Sequence, residues 1–224
     1  APDVFYVNFR KLHTYIAQNF LEPLDEYVKR DPKVLARIHP EIRKVITVNG
    51  HVYCIPWFQA AMALFYRKDL FREAGLDPDK PPRTWDEFYE YSRRLTDQDK
   101  GRWGFFFPKT QGGYYLTSFI WQAGGDVVRQ GKDGRYRAVF NSPAGVEALK
   151  FYVKMTRGKW TRGGKTYYGV ANIVDDYQAE VKRGKLAMWY AGTYDAITSR
   201  SDLSPNLVGV APLPAGPTGI KANE

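Results

Sequence analysis

Three short stretches of this sequence set aromatic rings beside residues that constrain or free the backbone, a combination suited to holding a small polar molecule. Pro56-Trp57-Phe58 follows a run that reads as a strand. A ring-locked residue followed by two bulky side chains makes a rigid platform there, ill suited to continued strand pairing. Gly112-Gly113-Tyr114-Tyr115 places two glycines before paired aromatics at a helix start, where backbone N–H groups can donate to hydroxyl or phosphate oxygens. Trp189-Tyr190-Ala191-Gly192-Thr193-Tyr194 runs off the end of a further strand, and Gly192 permits close approach to the backbone. Tyr and Trp carry apolar faces with polar handles, which match the C–H faces and hydroxyl rim of a sugar. The chemistry these residues suggest is capture.

Residues for bond-breaking are harder to find. His13, His39 and His51 lack the spacing of metal ligands. Cys54 stands alone between Tyr53 and Ile55, so it forms no internal disulfide or metal pair and reads as a small core residue. There is no Gly-x-Ser-x-Gly elbow and no dinucleotide fingerprint. Gly164-Lys165-Thr166 looks like the end of a phosphate-binding loop, but the earlier glycine that loop requires falls at Lys159. Asp69, Glu73, Asp86, Glu87 and Glu90 sit on predicted helices, where a solvated face explains them. No catalytic residue, metal site or cofactor is assigned. A glycoside-acting enzyme is kept as one alternative.

Thirty-three Lys and Arg against 24 Asp and Glu give a net charge of +9. The basic residues thicken between Arg129 and Lys165, with Tyr136, Trp160, Tyr167 and Tyr168 among them. A nucleic-acid-binding module is the second alternative on that ground. A solvated basic face is the simpler account, because acidic residues are interspersed elsewhere and no arginine-rich arm exists. The composition, 44% hydrophobic and 25% charged over 224 residues, is that of a globular chain. No apolar run approaches the roughly 18 residues of a membrane span.

The elements alternate between strand and helix, which predicts an α/β fold. Strands are expected at Asp3–Val7, Val45–Val48, His51–Ile55, Ala63–Tyr66, Trp103–Phe107, Tyr136–Phe140, Leu186–Tyr190 and Leu207–Ala211. Asn49-Gly50 predicts a hairpin turn, because both central positions need positive φ. Helices are expected around Leu12–Asn19, Leu24–Lys29, Asp69–Ala74, after the Thr84-Trp85-Asp86-Glu87 capping box, over Tyr114–Ala123, after Ser142-Pro143, and over Asp175–Lys182. In the helix after Ser142, the spacing of Val146, Leu149 and Val153 predicts the buried face.

Taken in order, several segments resemble the extracellular solute-binding proteins of bacterial ABC importers, in the branch of maltose- and glycerol-phosphate-type receptors. They include Pro2-Asp3-Val4-Phe5-Tyr6-Val7, Leu21-Glu22-Pro23-Leu24, Tyr53-Cys54-Ile55-Pro56-Trp57 and Leu64-Phe65-Tyr66-Arg67-Lys68-Asp69-Leu70-Phe71. Ala74-Gly75-Leu76, Thr84-Trp85-Asp86-Glu87, Gln122-Ala123-Gly124-Gly125-Asp126, Phe140-Asn141-Ser142-Pro143, Gly184-Lys185-Leu186-Ala187-Met188-Trp189 and Ala211-Pro212-Leu213-Pro214 continue the series. Each is weak alone; their order along nearly the whole chain carries the likeness. The resemblance implies a two-lobed periplasmic-binding-protein type II fold, truncated at both ends, with ligand in the inter-lobe cleft. Residues 1–58 would be part of the first lobe, 59–204 the second lobe, and 205–224 a strand and crossing segment returning to the first.

By the same resemblance, Trp57, Phe58 and Gln59 lie near the cleft on a crossing segment, and Tyr194 stacks on the ligand beside Trp189 and Gly192. Tyr114 matches an aromatic ligand contact. Asn8, Phe9 and Arg10 carry polar contacts, although helix capping explains Asn8 as well. Trp121 fits core or cleft equally, and Asp126 also fits a turn role. The implied function is capture of a carbohydrate, with a polyol or glycerol-phosphate-like compound as other options. The implied partners are the transmembrane subunits of an ABC permease and not nucleic acid. The receptor would be a monomer in the periplasm or outside the cell, with a lipid anchor on a segment outside this sequence as one arrangement.

Overall fold

A computed structural model describes residues 3–58, 61–110, 112–193, 195 and 203–220, with Phe9 and Pro205 described by their backbone alone. The chain divides into two compact units, residues 1–59 and 60–224.

The first unit is built from short elements: α1 (Leu12–Ala17), α2 (Asp25–Arg30), α3 (Lys33–Ala36), α4 (Pro40–Ile46), β1 (Thr47–Val48) and β2 (His51–Val52). The Asn49-Gly50 hairpin forms as expected, with φ of 52° and 86° at its two central residues. Asp25 ties α2 to that hairpin, accepting from the Val52 N–H at 3.3 Å and bonding His51 Nδ1 at 2.9 Å. Two expectations fail here. Asp3–Val7 is not a strand: it finds no partner among the described residues, and Val4 is 90% exposed. An extended segment without a neighbouring ladder gains none of the bonding that makes a strand. Val45 and Ile46 end α4 instead of opening β1, because Pro40 at the first turn and His39 as its cap start a helix that runs to them.

The second unit opens with β3 (Met62–Arg67) and α5 (Lys68–Glu73), followed by α6 (Trp85–Leu95), β4 (Phe105–Pro108) and α7 (Gly112–Gln122). An exposed hairpin of β5 (Val128–Gln130) and β6 (Tyr136–Ala138) precedes α8 (Pro143–Arg157). A second hairpin joins β7 (Lys159–Arg162) to β8 (Lys165–Tyr168), and β9 (Ala171–Val174) and α9 (Tyr177–Lys182) follow. Strands β10 (Met188–Gly192) and β11 (Val208–Ala211) close the unit. Strand β3 is central and antiparallel to both β10 and β11, while β4 and β9 pair in parallel. The N–H groups of Ala187 and Met188 donate to the carbonyls of Trp103 and Gly104, tying the two sheets together. The strand expected in the last segment is β11, which pairs with β3 in the second unit.

The core between these layers is aromatic. Phe65, Phe88, Phe105, Phe106, Phe107, Phe119, Trp189 and Tyr190 are all fully buried. Helix α6 presents Trp85, Phe88, Ser92 and Leu95 to it at helical spacing. Its start is the expected capping box: Thr84 Oγ1 accepts from the Glu87 N–H, and Glu87 reaches back to the Arg83 N–H. In α8 the expected face is the wrong one. Val146, Leu149 and Val153 are about half exposed, and Ala148, Phe151 and Met155 are buried instead. Both triplets have the same helical spacing; Phe151 decides between them because it stacks on Trp85 at 4.4 Å and meets Phe119 edge-on.

Candidate ligand-binding site

In the first unit, Pro56 ends the stretch after β2, and the two rings that follow point outwards. Trp57 is 79% exposed and Phe58 51%. Their rings lie 6.0 Å apart at 45°, and the edge of Tyr6 braces Trp57 at 5.9 Å and 87°. Desolvating rings of this size releases ordered water and favours whatever covers them. A cavity of about 160 Å³ adjoins them, lined by Arg37, Ile38, His39, Pro56, Trp57 and Phe58. Asn8 caps the turn at Phe9–Lys11, its Oδ1 accepting from the Arg10 N–H at 3.0 Å. Gln59, and the side chain of Phe9, lie outside the described residues.

In the second unit, the start of α7 is held against the end of β10. Tyr115 donates its hydroxyl to the Tyr190 carbonyl at 2.7 Å, which sets Tyr114 beside it, part-exposed, with the two rings 6.1 Å apart. Gly192 ends β10 opposite Met62, and the next residue, Thr193, bonds through its N–H to the Ala61 carbonyl at 2.9 Å. Trp121 lies two helical turns beyond Tyr114 on α7, about 10 Å along the axis. Its Nε1–H donates to Asp126 Oδ1 at 3.2 Å, and the Val127 N–H donates to the same oxygen at 2.8 Å. Those two donors hold the Asp126 carboxyl below its usual range. This is the turn role that the sequence left open for Asp126.

Trp189 is not presented to solvent. It is fully buried, stacked on Phe65 at 5.8 Å, and its Nε1–H donates to Asp195 Oδ2 at 2.7 Å. Asp195, itself buried, also accepts from Gln178 Nε2 at 3.2 Å. Tyr194 lies outside the described residues, but Asp195 beside it in the chain is anchored by these two bonds. Asp195 and Arg37 belong to no sequence motif, and His39 enters the sequence reading only as a histidine without metal-ligand spacing. A lone acid and a lone base without a motif give no signal until folding gives them neighbours. Among the described residues no group of three His, Cys, Asp or Glu is placed to hold a metal, and no helix is long and apolar enough to cross a membrane. Within the basic stretch, Arg162 donates to carbonyls at the end of α6 and Trp160 is buried under Tyr167, while the hairpin of β5 and β6 is exposed.

The two units present an exposed aromatic pair beside a cavity in one, and the braced start of α7 against β10 in the other. The family whose sequence model the chain matches, over residues 1–222, is the bacterial extracellular solute-binding protein family, and the chain belongs to it. It is 30% identical over 224 residues to a binding protein of Brucella abortus (strain 2308), covering 98% of this chain and 51% of that protein. It is 25% identical over 210 residues to the mannitol-binding protein of Pseudomonas aeruginosa, covering 90% of this chain and 45% of that one. Among solved structures, an ABC transporter solute-binding protein from Thermotoga lettingae bound with α-D-tagatose matches with a TM-score of 0.76 and 27% identity, over 91% of this chain and 51% of that chain. The chain therefore spans about half the length of the relatives it matches.

Proposed function

We propose that this chain is part of a receptor that captures a small carbohydrate or polyol for an ABC importer. The observation that carries the reading is the exposed pair Trp57 and Phe58 beside a cavity, in a chain whose family consists of solute-binding proteins. The mannitol and tagatose bound by its relatives give the chemical class. In the first unit Trp57, Phe58 and Gln59 would supply apolar faces and an amide, with polar atoms from Asn8, Phe9 and Arg10. In the second unit Tyr114, Gly192 and Tyr194 would supply rings and backbone, next to the buried pair Trp189 and Asp195. The receptor binds without chemistry, acts outside the cytoplasmic membrane as a monomer, and hands its ligand to the permease subunits rather than to nucleic acid.

Thermal unfolding of the full-length protein against sugars, polyols, phosphodiesters and short oligonucleotides tests this. A ligand at 100-fold its Kd adds about 2.7 kcal/mol to the native state. For a protein of this size that is roughly 5–10 °C in Tm. A shift confined to one sugar or polyol class is expected. A shift with oligonucleotides alone, fading in salt, would replace the reading with nucleic-acid binding.

A further inference from the structure

Six residues line the cavity next to the aromatic platform, and none is acidic. Arg37 is exposed and makes no ion pair or side-chain hydrogen bond among the described residues. That sets it apart from Arg67, Arg93, Arg102, Arg137 and Arg183, each of which is paired with a carboxylate. His39, two residues on, spends its Nδ1 as acceptor for the Glu41 N–H at 3.3 Å. With Nδ1 accepting, Nε2 is left as the ring's donor. The nearby carboxylate of Glu41 is already bonded to Lys44 at 2.7 Å. On the other side, Ile38, Pro56, Trp57 and Phe58 are apolar. The cavity thus joins an aromatic face to one permanent positive charge and one added N–H.

We propose that this cavity takes the anionic group, phosphate or carboxylate, of an acidic sugar or polyol whose apolar face covers Trp57 and Phe58. The proposal rests on the receptor reading above and narrows its substrate class. A planar guanidinium offers paired donors that match two oxygens of either anion. At about 160 Å³ the cavity is smaller than the roughly 300–1,000 Å³ that encloses a whole small molecule, so it holds one end of the ligand. A neutral sugar there would leave the guanidinium without a charged partner and gain only the stacking.

The test is calorimetric titration of the full-length protein with matched pairs: glucose against glucose 6-phosphate, glucose against glucuronate, and glycerol against glycerol 3-phosphate. The anionic member of at least one pair should bind about tenfold or more tightly than its parent, the size of one charge-assisted bond. That margin should collapse in Arg37→Gln and persist in part in Arg37→Lys; both changes lie on the surface and should keep the Tm. Glucose 6-phosphate and glucuronate separate a phosphate from a carboxylate preference. Neutral members binding as tightly as anionic ones, or a margin that survives Arg37→Gln, overturns the anion site and leaves the receptor standing. No binding by any member, with a thermal shift from a neutral sugar or polyol outside the pairs, overturns the anion site alone; no shift with any sugar or polyol overturns both.

Discussion

The hydroxyl of Tyr115 donates to the main-chain carbonyl of Tyr190 at 2.7 Å, with the two rings nearly parallel at 6.0 Å. This one contact fixes the start of α7 against the end of β10, and so positions Tyr114 and Gly192, each one or two residues away. Tyr115→Phe keeps the ring and deletes the bond. It should cost about 1 kcal/mol in chemical denaturation, as for a buried hydrogen bond. Ligand affinity should fall as well, since the two candidate contacts lose their common brace. An affinity unchanged alongside a lowered stability would place the ligand away from this end of the second unit.

The hydroxyl of Tyr190 presents the opposite case, since it is buried and has no hydrogen-bond partner among the described residues. Its phenol is pushed well above its usual pKa by burial. Tyr190→Phe removes a desolvated polar atom and should leave stability unchanged or raise it by up to about 1 kcal/mol. The pH dependence follows from the sign of the shift. Above about pH 10 the unfolded chain releases this proton while the folded chain keeps it, so stability falls as pH rises, by up to about 1.4 kcal/mol per unit. The variant should show a flatter alkaline limb in unfolding measured from pH 9 to 11.

Asp126 has its carboxyl held low by the Trp121 and Val127 N–H groups, so the ionised form is the one the fold favours. That contribution is present above the ordinary carboxylate pKa and lost as pH falls through the lowered one. The group is solvent-screened, so its contribution is small. Asp126→Ala should lower the Tm by a degree or two at pH 7, with the difference from the parent shrinking towards pH 3. A loss of affinity larger than the loss of stability would return Asp126 to the ligand contacts.

The local code was legible wherever a residue acts within its own turn. Thr84, Ser142, Gly75 and Asn49-Gly50 each satisfy or permit a specific backbone geometry, and each sits where the sequence put it. What required the fold was the choice between equivalent local options. Val146-Leu149-Val153 and Ala148-Phe151-Met155 have one spacing, and only the presence of Trp85 and Phe119 selects the second. Trp189 and Trp57 are alike in sequence as tryptophans at strand ends, yet one stacks on Phe65 in the core and the other is 79% exposed. Strands β7, β8 and β9 have no apolar alternation to mark them: β7 and β8 are mostly exposed, and β9 is defined by its parallel partner β4. The Gly163-Gly164 pair between β7 and β8, with φ of 57° and 80°, is the local hairpin signal of this segment.

Trp57 gives the sharpest separation of binding from folding. Its ring is mostly in water, and its aromatic contacts among the described residues are the edge-on one with Tyr6 and the tilted one with Phe58, so little apolar area is lost on truncation. Trp57→Ala should change unfolding free energy by less than about 0.5 kcal/mol. If the ring stacks on the ligand, the same change should weaken binding at least tenfold, about 1.4 kcal/mol. Trp57→Phe should recover part of that loss, because a smaller aromatic face still covers C–H groups. Tyr194→Ala should produce a loss of the same order from the second unit. Full affinity in Trp57→Ala with an intact fold would move the ligand off this platform, and the cavity beside it would lose its claim to the anionic group.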